Sequence, residues 1–185
     1  MKGQHKIIFS GPVGAGKTTA IGSISDIEPV TTEEVATDKT KDKKELTTVA
    51  MDYGRIRLDN DEVLHLYGTP GQQRFDFMWE LLIEGSIGIV IMLDDANPAP
   101  LDDLQQFISA FKDYIAEHAV VVGITRMELG KGPTIEEYRA ELAKSDLNVP
   151  VFEVDARRKS DVLMLLQALL YSLDPVVVDT AGEAA

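Results

Sequence analysis

Short apolar runs alternate along the chain with longer segments in which apolar and polar positions recur at helical spacing. Lys6–Ser10, Ile87–Leu93 and Ala119–Thr125 are almost wholly apolar, which is typical of strands buried on both faces of a parallel sheet. Leu101–His118 repeats apolar side chains every three or four positions and predicts an amphipathic helix. This alternation predicts an α/β fold with a mostly parallel sheet.

Two strand-like segments near the middle of the chain predict a β-hairpin. Val49–Leu58 and Glu62–Tyr67 flank the turn-forming sequence Asp-Asn-Asp at positions 59–61. If positions 60 and 61 form a two-residue turn, the register places Asp52 opposite Thr69. The remaining pattern predicts one further strand and four further helices: Val151–Val154, and then Lys17–Ile27, Arg74–Ile83, Thr134–Leu142 and Ser160–Leu173.

Length and composition limit the classes of protein that this chain can represent. Its 185 residues suit a single domain, which we expect over residues 1–174, followed by a flexible tail over residues 175–185. A formal net charge of −13 disfavours nucleic-acid binding, because an acidic surface repels phosphates. The chain has no cysteine, which excludes disulfides and thiol catalysis. No apolar run reaches about 18 residues, and we find no leader or lipidation signal. We therefore expect a cytoplasmic protein without a direct membrane anchor.

The clearest motif is a glycine-rich loop between the first strand and the first helix. Gly11-Pro-Val-Gly-Ala-Gly-Lys17-Thr18 fits the pattern G-x-x-x-x-G-K-[ST] of phosphate-binding loops. Its glycines let backbone N–H groups turn around an anion, and the helix that follows presents its N-terminus to the same phosphates. Lys17 is expected to reach the β- and γ-phosphates, and the Thr18 hydroxyl to hold Mg²⁺. The predicted nucleotide-binding residues here are Gly11, Val13, Gly14, Ala15, Gly16, Lys17, Thr18 and Thr19.

Further segments, in the same order along the chain, resemble the motifs of Ras-like small GTPases. Leu66–Phe75, with its sequence Thr-Pro-Gly-Gln, is similar to their D-x-x-G-Q segment. Val120–Leu129 resembles the guanine-reading N-K-x-D segment, and Glu153–Arg157 resembles the S-A-K segment. The Thr-Pro-Gly-Gln form and the sequence Ala-Met-Asp-Tyr-Gly at positions 50–54 are similar to the bacterial MglA-like, Roadblock-associated group.

This resemblance implies a P-loop NTPase fold of the Ras-like type, with a six-stranded sheet, one antiparallel strand and five flanking helices. It implies binding of GTP or GDP with Mg²⁺. Gln72 matches the glutamine that orients the attacking water and is, with Lys17, the predicted catalytic residue. Gly71 matches the glycine whose N–H meets the γ-phosphate. Thr48, or alternatively Thr47, matches the threonine that binds Mg²⁺.

One departure from the family pattern concerns the metal. Gly68 stands where the family has the aspartate of D-x-x-G, so a carboxylate near Mg²⁺ is missing at that position. The predicted hairpin offers Asp52 as a replacement from the neighbouring strand, since Mg²⁺ prefers oxygen ligands. The alternative is that Asp52 is an ordinary charge at the end of a strand.

The second departure concerns the base. The N-K-x-D segment has become Thr125-Arg126-Met-Glu128, in which the Glu128 carboxylate can still accept hydrogen bonds from the N1–H and the 2-amino group of guanine. Arg126 can stack on the base. By the resemblance, Ala156 offers its N–H to the guanine O6, with Asp155 and Arg157 on either side. We expect guanine to be preferred over adenine.

Hydrolysis is expected to be slow without a partner. Val13 stands at a position that is often glycine in Ras-like proteins, and its branched side chain crowds the space of the water-orienting glutamine. Between Lys17 and Arg55 the chain has no arginine that could act as a finger, and Arg74 is better explained as a surface residue. The resemblance and this missing arginine suggest a regulatory protein, for which a Roadblock-like partner is the leading candidate.

The sequence leaves the role of two surface segments undecided, and it leaves two alternative functions. Lys39–Glu45 carries four lysines and is either a docking site or a solvated loop. The apolar side chains that follow Gln72 form either a partner surface or core, with Trp79 predicted to be the exposed one: Phe75, Phe77, Met78 and Trp79. The alternative functions are a nucleotide-binding scaffold that no longer hydrolyses, and a small-metabolite kinase, whose lid would need the basic cluster at positions 157–159.

Overall fold

A computed structural model of the chain describes residues 4–31, 51–58, 62–71, 77–130 and 132–173, with the side chains at positions 31, 77, 78 and 80 excepted. The described elements are, in chain order, β1 (Gln4–Ser10), α1 (Lys17–Ile24), β2 (Val30–Thr31), β3 (Asp52–Arg57), β4 (Val63–Gly68), α2 (Phe77–Ile83), β5 (Gly88–Asp94), α3 (Pro100–Ala110), α4 (Lys112–Ile115), β6 (Ala119–Thr125), α5 (Ile135–Ala143), β7 (Val151–Glu153) and α6 (Lys159–Leu173).

One twisted sheet carries all of the described strands, in the order β2-β3-β4-β1-β5-β6-β7. β3 is antiparallel to both of its neighbours, and the other pairs from β4 to β7 are parallel. The predicted α/β fold, with a mostly parallel sheet and one antiparallel strand flanked by helices, is therefore confirmed. The two-residue β2 adds a short seventh strand to the six that were expected.

Two hydrophobic layers cover the two faces of the sheet. α1 and α6 pack on one face, where Ile21, Leu165 and Leu169 meet side chains of β1, β4, β5 and β6. α2, α3, α4 and α5 cover the other face around Phe107 and Tyr138. β5 and β6 are buried at every position, as their continuous apolar sequence predicts.

The predicted register of the hairpin is wrong by one residue. Asp52 lies opposite Gly68, and not opposite Thr69. The last ladder pair is Arg57 with Val63, and the Leu58 N–H donates to the Glu62 carbonyl at 2.8 Å, which leaves three residues in the connection. The prediction assumed a two-residue turn, and the extra residue shifts every pair by one position.

The prediction that Trp79 is exposed is also wrong. Its side chain is only 3% exposed and stacks on Phe107 and Phe111, with ring centroids 4.9 and 5.3 Å away. The indole N–H donates to the Pro70 carbonyl at 3.3 Å. A large ring gains more from this aromatic layer than from solvent. Among the described side chains of α2, Leu81 is exposed, at 67%.

The predicted helix over residues 101–118 is broken in the structure. α3 ends at Ala110, and α4 starts at Lys112 after Phe111 adopts φ −105° and ψ 17°. The described chain thus has six α-helical segments where five helices were expected. None of the helices in these described ranges is long and apolar enough to cross a membrane.

Candidate functional site

The glycine-rich loop needs glycine at specific positions. A Cβ on Gly11, whose φ is +141°, would lie 1.9 Å from the Met92 carbonyl oxygen. Gly14 and Gly16 have φ values of +84° and +95°, which residues with a Cβ rarely adopt. The N–H groups of residues 13, 14 and 16 have no acceptor among the described residues, and α1 begins directly after them. The loop and the helix N-terminus together are suited to bind an anion.

Lys17 is the first residue of α1, and its side chain, which returns to the loop, is only 7% exposed. Its Nζ donates to the carbonyl oxygens of Gly11 and Pro12, both at 2.7 Å. Burial lowers the pKa of Lys17 to about 8, and the negative charge of Asp52 opposes this shift. A buried lysine of lowered pKa whose ammonium lies against a glycine-rich loop is an arrangement expected at a phosphate site.

Thr18 and Asp52 come together although they are distant in sequence. The Thr18 hydroxyl donates to Asp52 Oδ2 at 2.6 Å. The Asp52 side chain crosses the ladder towards Gly68, where a Cβ would lie 2.9 Å from the same carboxylate oxygen. Asp52 therefore reaches the space in front of Gly68 in spite of the register shift, and the two predicted oxygen donors lie side by side.

The Thr-Pro-Gly segment after β4 packs directly on the glycine-rich loop. The Thr69 hydroxyl shares a hydrogen bond of 2.9 Å with Ser10, and the Thr69 N–H donates to the Phe9 carbonyl at 2.8 Å. A Cβ on Gly71 would lie 2.5 Å from the Val13 nitrogen. This contact brings Gly71 against the loop, next to Val13, whose side chain is 62% exposed.

A cleft of about 340 Å³ opens beside the loop, at the carboxyl ends of β6 and β7. The structure brings all six predicted base-reading residues together there. The residues that line it are Gly14, Gly16, Thr19, Thr125, Arg126, Glu128, Leu129, Val154, Asp155, Ala156 and Arg157. Leu129 and Val154 are additions that the motifs did not predict. A Cβ on Gly16 would lie 3.0 Å from the Ala156 Cβ, so the loop and the base-reading segments are in contact.

Arg126 connects the two ends of the site. Its Nη2 donates to the Gly14 carbonyl and lies 2.7 Å from Asp94 Oδ2. Arg126 has φ +63°, an uncommon conformation for a residue with a side chain. The Thr125 hydroxyl also connects the phosphate-binding loop to β5, because it donates to the Leu93 carbonyl at 2.9 Å and to the Ala15 carbonyl at 3.3 Å.

The Asp155 carboxylate is bound to Arg157. Oδ1 accepts from the Arg157 N–H and Nε, at 3.0 and 2.8 Å, and Oδ2 accepts from Nη2 at 2.8 Å. These hydrogen bonds, with the positive charges of Arg157 and Arg158, lower the pKa of Asp155 to about 2. Arg157 is thereby held at the rim of the cleft.

Sequence reasoning missed the two carboxylates at the end of β5, Asp94 and Asp95. Both are buried, at 7% and 3% exposure. Two consecutive aspartates directly after an apolar strand were the available signal, since buried charges are rare without a partner. Several predicted site and surface residues lie outside the described residues: Thr47, Thr48, Gln72, Arg74, Phe75 and Lys39–Glu45.

Comparisons with known proteins agree with this geometry. The family model described as "Conserved hypothetical ATP binding protein" matches residues 27–169. An uncharacterized protein of Methanocaldococcus jannaschii, MJ1339, is 32% identical over 123 residues, which cover 66% of this chain and 77% of that protein. The Ras-related protein RabC of Dictyostelium discoideum is 21% identical over 178 residues, which cover 92% of this chain and 84% of RabC. The Ras-related protein RABD2a of Arabidopsis thaliana is 22% identical over 177 residues, which cover 91% and 79%.

The family match begins after the glycine-rich loop, whereas the Ras-related proteins align with nearly the whole chain. The glycine-rich loop and the cleft are the structural evidence for nucleotide binding, and the comparisons are the sequence evidence for it. The chain belongs to the family of conserved hypothetical ATP binding proteins and is a P-loop, GTPase-like nucleotide-binding protein.

Proposed function

We propose that the chain is a small GTPase, which binds GTP and GDP with Mg²⁺ as a molecular switch and hydrolyses GTP slowly. One observation carries this proposal: Gly14 and Gly16 of the phosphate-binding loop also line the cleft that holds Glu128 and Ala156. A single ligand can therefore place its phosphates at the loop and its base in the cleft. A nucleoside di- or triphosphate has this shape.

The phosphates have three groups of donors in this proposal. The N–H groups of the loop surround them, the α1 N-terminus faces them, and the Lys17 ammonium supplies a full positive charge. Lys17 donates to carbonyl oxygens of the loop, so a small rotation of its side chain brings Nζ to a phosphate oxygen.

The residues beside the loop fit Mg²⁺. The Thr18 hydroxyl and the Asp52 carboxylate are both hard oxygen donors, and their hydrogen bond of 2.6 Å places them at one spot. We infer that Thr18 is a ligand of Mg²⁺ and that Asp52 orients Thr18 through its hydrogen bond. Asp52 thereby takes the place of the aspartate that is missing at position 68. Thr48 is the proposed third residue. The ion would neutralise charge on the β- and γ-phosphates.

The cleft favours guanine by its chemistry, although the family description names ATP. Guanine presents two adjacent donors, N1–H and the 2-amino group, to a carboxylate such as that of Glu128, whereas adenine has an acceptor at N1 and only a C–H at position 2. The Ala156 N–H donates to no other described residue and is suited to O6, which is an acceptor only in guanine. Arg126 and Arg157 supply planar cations for the faces of the base.

We expect GDP to bind at least about tenfold more tightly than ADP, because two hydrogen bonds to a charged carboxylate distinguish the bases. Competition titrations in Mg²⁺, with GTP and ATP as a second pair, measure this ratio. Glu128→Ala should reduce it to the part that the Ala156 N–H contributes, whereas Glu136→Ala, an exposed glutamate of α5, should leave it unchanged. Equal or tighter binding of ADP to the wild type would contradict the guanine assignment.

Nucleotide affinity should fall as the pH rises through the pKa of Lys17, which is about 8. Below that value Lys17 is already charged, and the affinity is flat. Above it, most of the free protein carries a neutral Lys17, which must take up a proton when the phosphates bind. The affinity therefore falls by up to about tenfold per pH unit. Titrations with GDP between about pH 7 and about pH 9 measure the slope. Guanosine is the control, because it has no phosphate; the same slope for guanosine would contradict the role of Lys17.

Slow hydrolysis follows from the surroundings of Val13. Gly71 packs against the Val13 backbone, and the branched side chain of Val13 is exposed. In our proposal Gln72 orients the attacking water and Val13 crowds it. The kinase alternative is weakened, because Arg157 lines the cleft proposed for the base and pairs there with Asp155.

A regulatory protein completes the proposal, with a Roadblock-like protein as the leading candidate. Single-turnover hydrolysis of GTP should be slow for the chain alone and rise by about 10³–10⁵-fold with the correct activator. Val13→Gly should raise the rate of the chain alone. Fast hydrolysis by the wild type alone would remove the need for an activator. Slow hydrolysis that Gln72→Leu does not reduce further would favour the non-hydrolysing scaffold.

A further inference from the structure

Two consecutive carboxylates at the end of β5 point to different partners. Asp94 and Asp95 follow an apolar strand, and successive side chains of a strand leave it in opposite directions. Both are buried, and buried carboxylates persist only where hydrogen bonds or opposite charges satisfy them. Their partners are the two ends of the segment between β6 and α5, which carries Glu128.

Asp94 holds the start of this segment. Its Oδ2 lies 2.7 Å from Nη2 of Arg126, and its Oδ1 accepts from the Ala96 N–H at 3.0 Å. Because the same Nη2 donates to the Gly14 carbonyl, Asp94 fixes Arg126 against the phosphate-binding loop. The positive φ of Arg126 turns the chain from β6 into the Glu128 turn, and Asp94 opposes the relaxation of this strained residue.

Asp95 holds the other end. The hydroxyl of Tyr138 donates to Asp95 Oδ1 at 2.8 Å, and Tyr138 is fully buried in α5. The Asp95 N–H donates to the Thr125 carbonyl at 3.0 Å, which joins this anchor to the end of β6. A Cβ on Gly132 would lie only 2.2 Å from Asp95 Oδ1, so the chain before α5 packs directly on the carboxylate.

The turn between these anchors is short, and two hydrogen bonds hold it together: the Leu129 N–H donates to the Arg126 carbonyl at 3.1 Å, and the Gly130 N–H donates to the Met127 carbonyl at 2.9 Å. It is a single 3₁₀ turn, Met127–Leu129, followed by Gly130 in the left-handed region. Glu128 makes no hydrogen bond to any other described residue. The position of its carboxylate therefore depends on where the whole turn is held, by the two fixed ends of the segment together with the packing of Met127 against the core.

We propose that Asp94 and Asp95 are positioning residues that anchor the Glu128 segment at both ends and thereby set the selectivity for the 2-amino group of guanine. The inference rests on the proposed function, because it concerns the same base contact. Glu128 touches the base, and the two aspartates act through it. Asp94 acts through Arg126, and Asp95 through Tyr138.

The test compares GDP with inosine diphosphate, which differs from GDP only by lacking the 2-amino group. The ratio of the two affinities isolates one contact to Glu128 and is insensitive to phosphate binding. We expect the wild type to prefer GDP by about tenfold or more. Asp94→Asn, Asp95→Asn and Tyr138→Phe should each reduce this ratio by about threefold or more, as the carboxylate loses its alignment.

Two control variants remove comparable groups that do not touch the segment. Tyr114→Phe deletes a buried hydroxyl that is bonded to Ser86 at 2.7 Å in the same helical layer. Asp103→Asn removes a negative charge whose carboxylate accepts from Asn97 at 2.6 Å. Both should keep the ratio of the wild type, even where urea unfolding shows that they lower stability as much as Tyr138→Phe does.

The outcomes separate this inference from the proposed function. If the wild type prefers GDP and the three anchor variants keep that preference, the inference is wrong and the guanine site stands. If the controls reduce the ratio as much as the anchor variants do, the effect is general loosening, and the inference is again wrong. If the wild type binds both nucleotides equally, the contact between Glu128 and the 2-amino group is absent and the inference is wrong, whereas the proposed function is then decided separately by the ratio of GDP to ADP affinity. In a Glu128→Ala background, Tyr138→Phe should change the ratio no further, and an additional change would contradict an action through Glu128.

Discussion

Lys17→Ala is expected to abolish measurable binding of GTP and GDP, with a loss of about 10²-fold or more in affinity. The reason is that Lys17 supplies a full charge to the phosphates from a buried position, where charge-assisted hydrogen bonds are strong. The alanine variant keeps the backbone of the loop and loses a buried ammonium of lowered pKa, so its free energy of unfolding should change little or increase. Titration of each nucleotide, with thermal unfolding of the same samples, measures both quantities.

The chain offers a matched control for this substitution. Lys6 also donates from Nζ to a backbone carbonyl, that of Glu84, but it lies at the opposite end of the sheet from the loop. Lys6→Ala should leave nucleotide affinity within about twofold of the wild type. If Lys17→Ala retains most of the affinity, or if Lys6→Ala weakens it equally, the assignment of the phosphate site to this loop is wrong.

The phosphate-binding loop could be predicted from the sequence because its chemistry is local. Eight consecutive residues define the strand end, the glycine positions and the helix start, and φ values at Gly14 and Gly16 follow from the need to turn N–H groups inward. The parallel sheet could be predicted for a similar reason, since the apolar runs of β5 and β6 need no knowledge of their neighbours.

Features that depend on the packing of distant segments could not be predicted in the same way. The hairpin register depends on the number of residues in one turn, and an error of one residue moved the partner of Asp52 from Thr69 to Gly68. The pattern of α2 does not fix which face meets α3, so the burial of Trp79 against Phe107 was not apparent. In both cases the residue type was informative and its orientation was not.

The anchors of the Glu128 segment show the same limit more strongly. Tyr138 reads as one apolar position of an amphipathic helix, and nothing near it in sequence indicates that its hydroxyl meets Asp95, which lies 43 positions earlier. The hydrogen bond depends on the crossing of α5 over the end of β5. A motif search finds Glu128, which we propose to contact the base, but passes over the residues that we infer to hold it in place.

An exchange of the aspartate at position 52 with the glycine at position 68 is the sharpest test of the proposed metal site. Asp52→Gly should lower the Mg²⁺-dependent part of GDP affinity by about 10–100-fold, because the Thr18 hydroxyl loses the carboxylate that orients it. Gly68→Asp alone should not improve binding. A Cβ at position 68 would lie 2.9 Å from Asp52 Oδ2 and 3.0 Å from Asp52 Cβ, so the new side chain displaces the existing carboxylate and repels its charge.

The double variant Asp52→Gly with Gly68→Asp should recover part of the lost affinity, because it removes the crowding atoms and returns one carboxylate to the same space from β4. Asp52→Gly with Gly68→Ala is the matched control, since it restores a side chain without a carboxylate. The ratio of GDP affinities in Mg²⁺ and in EDTA is the quantity to compare. If the double variant with aspartate at position 68 recovers more affinity than the double variant with alanine there, the site needs one carboxylate, which either β3 or β4 can provide. If Asp52→Gly leaves the ratio unchanged, or if both double variants behave alike, Asp52 is an ordinary charge at the end of β3. The Ile21 side chain, 3.2 Å from the position of a Cβ at residue 68, limits the recovery to part of the original affinity.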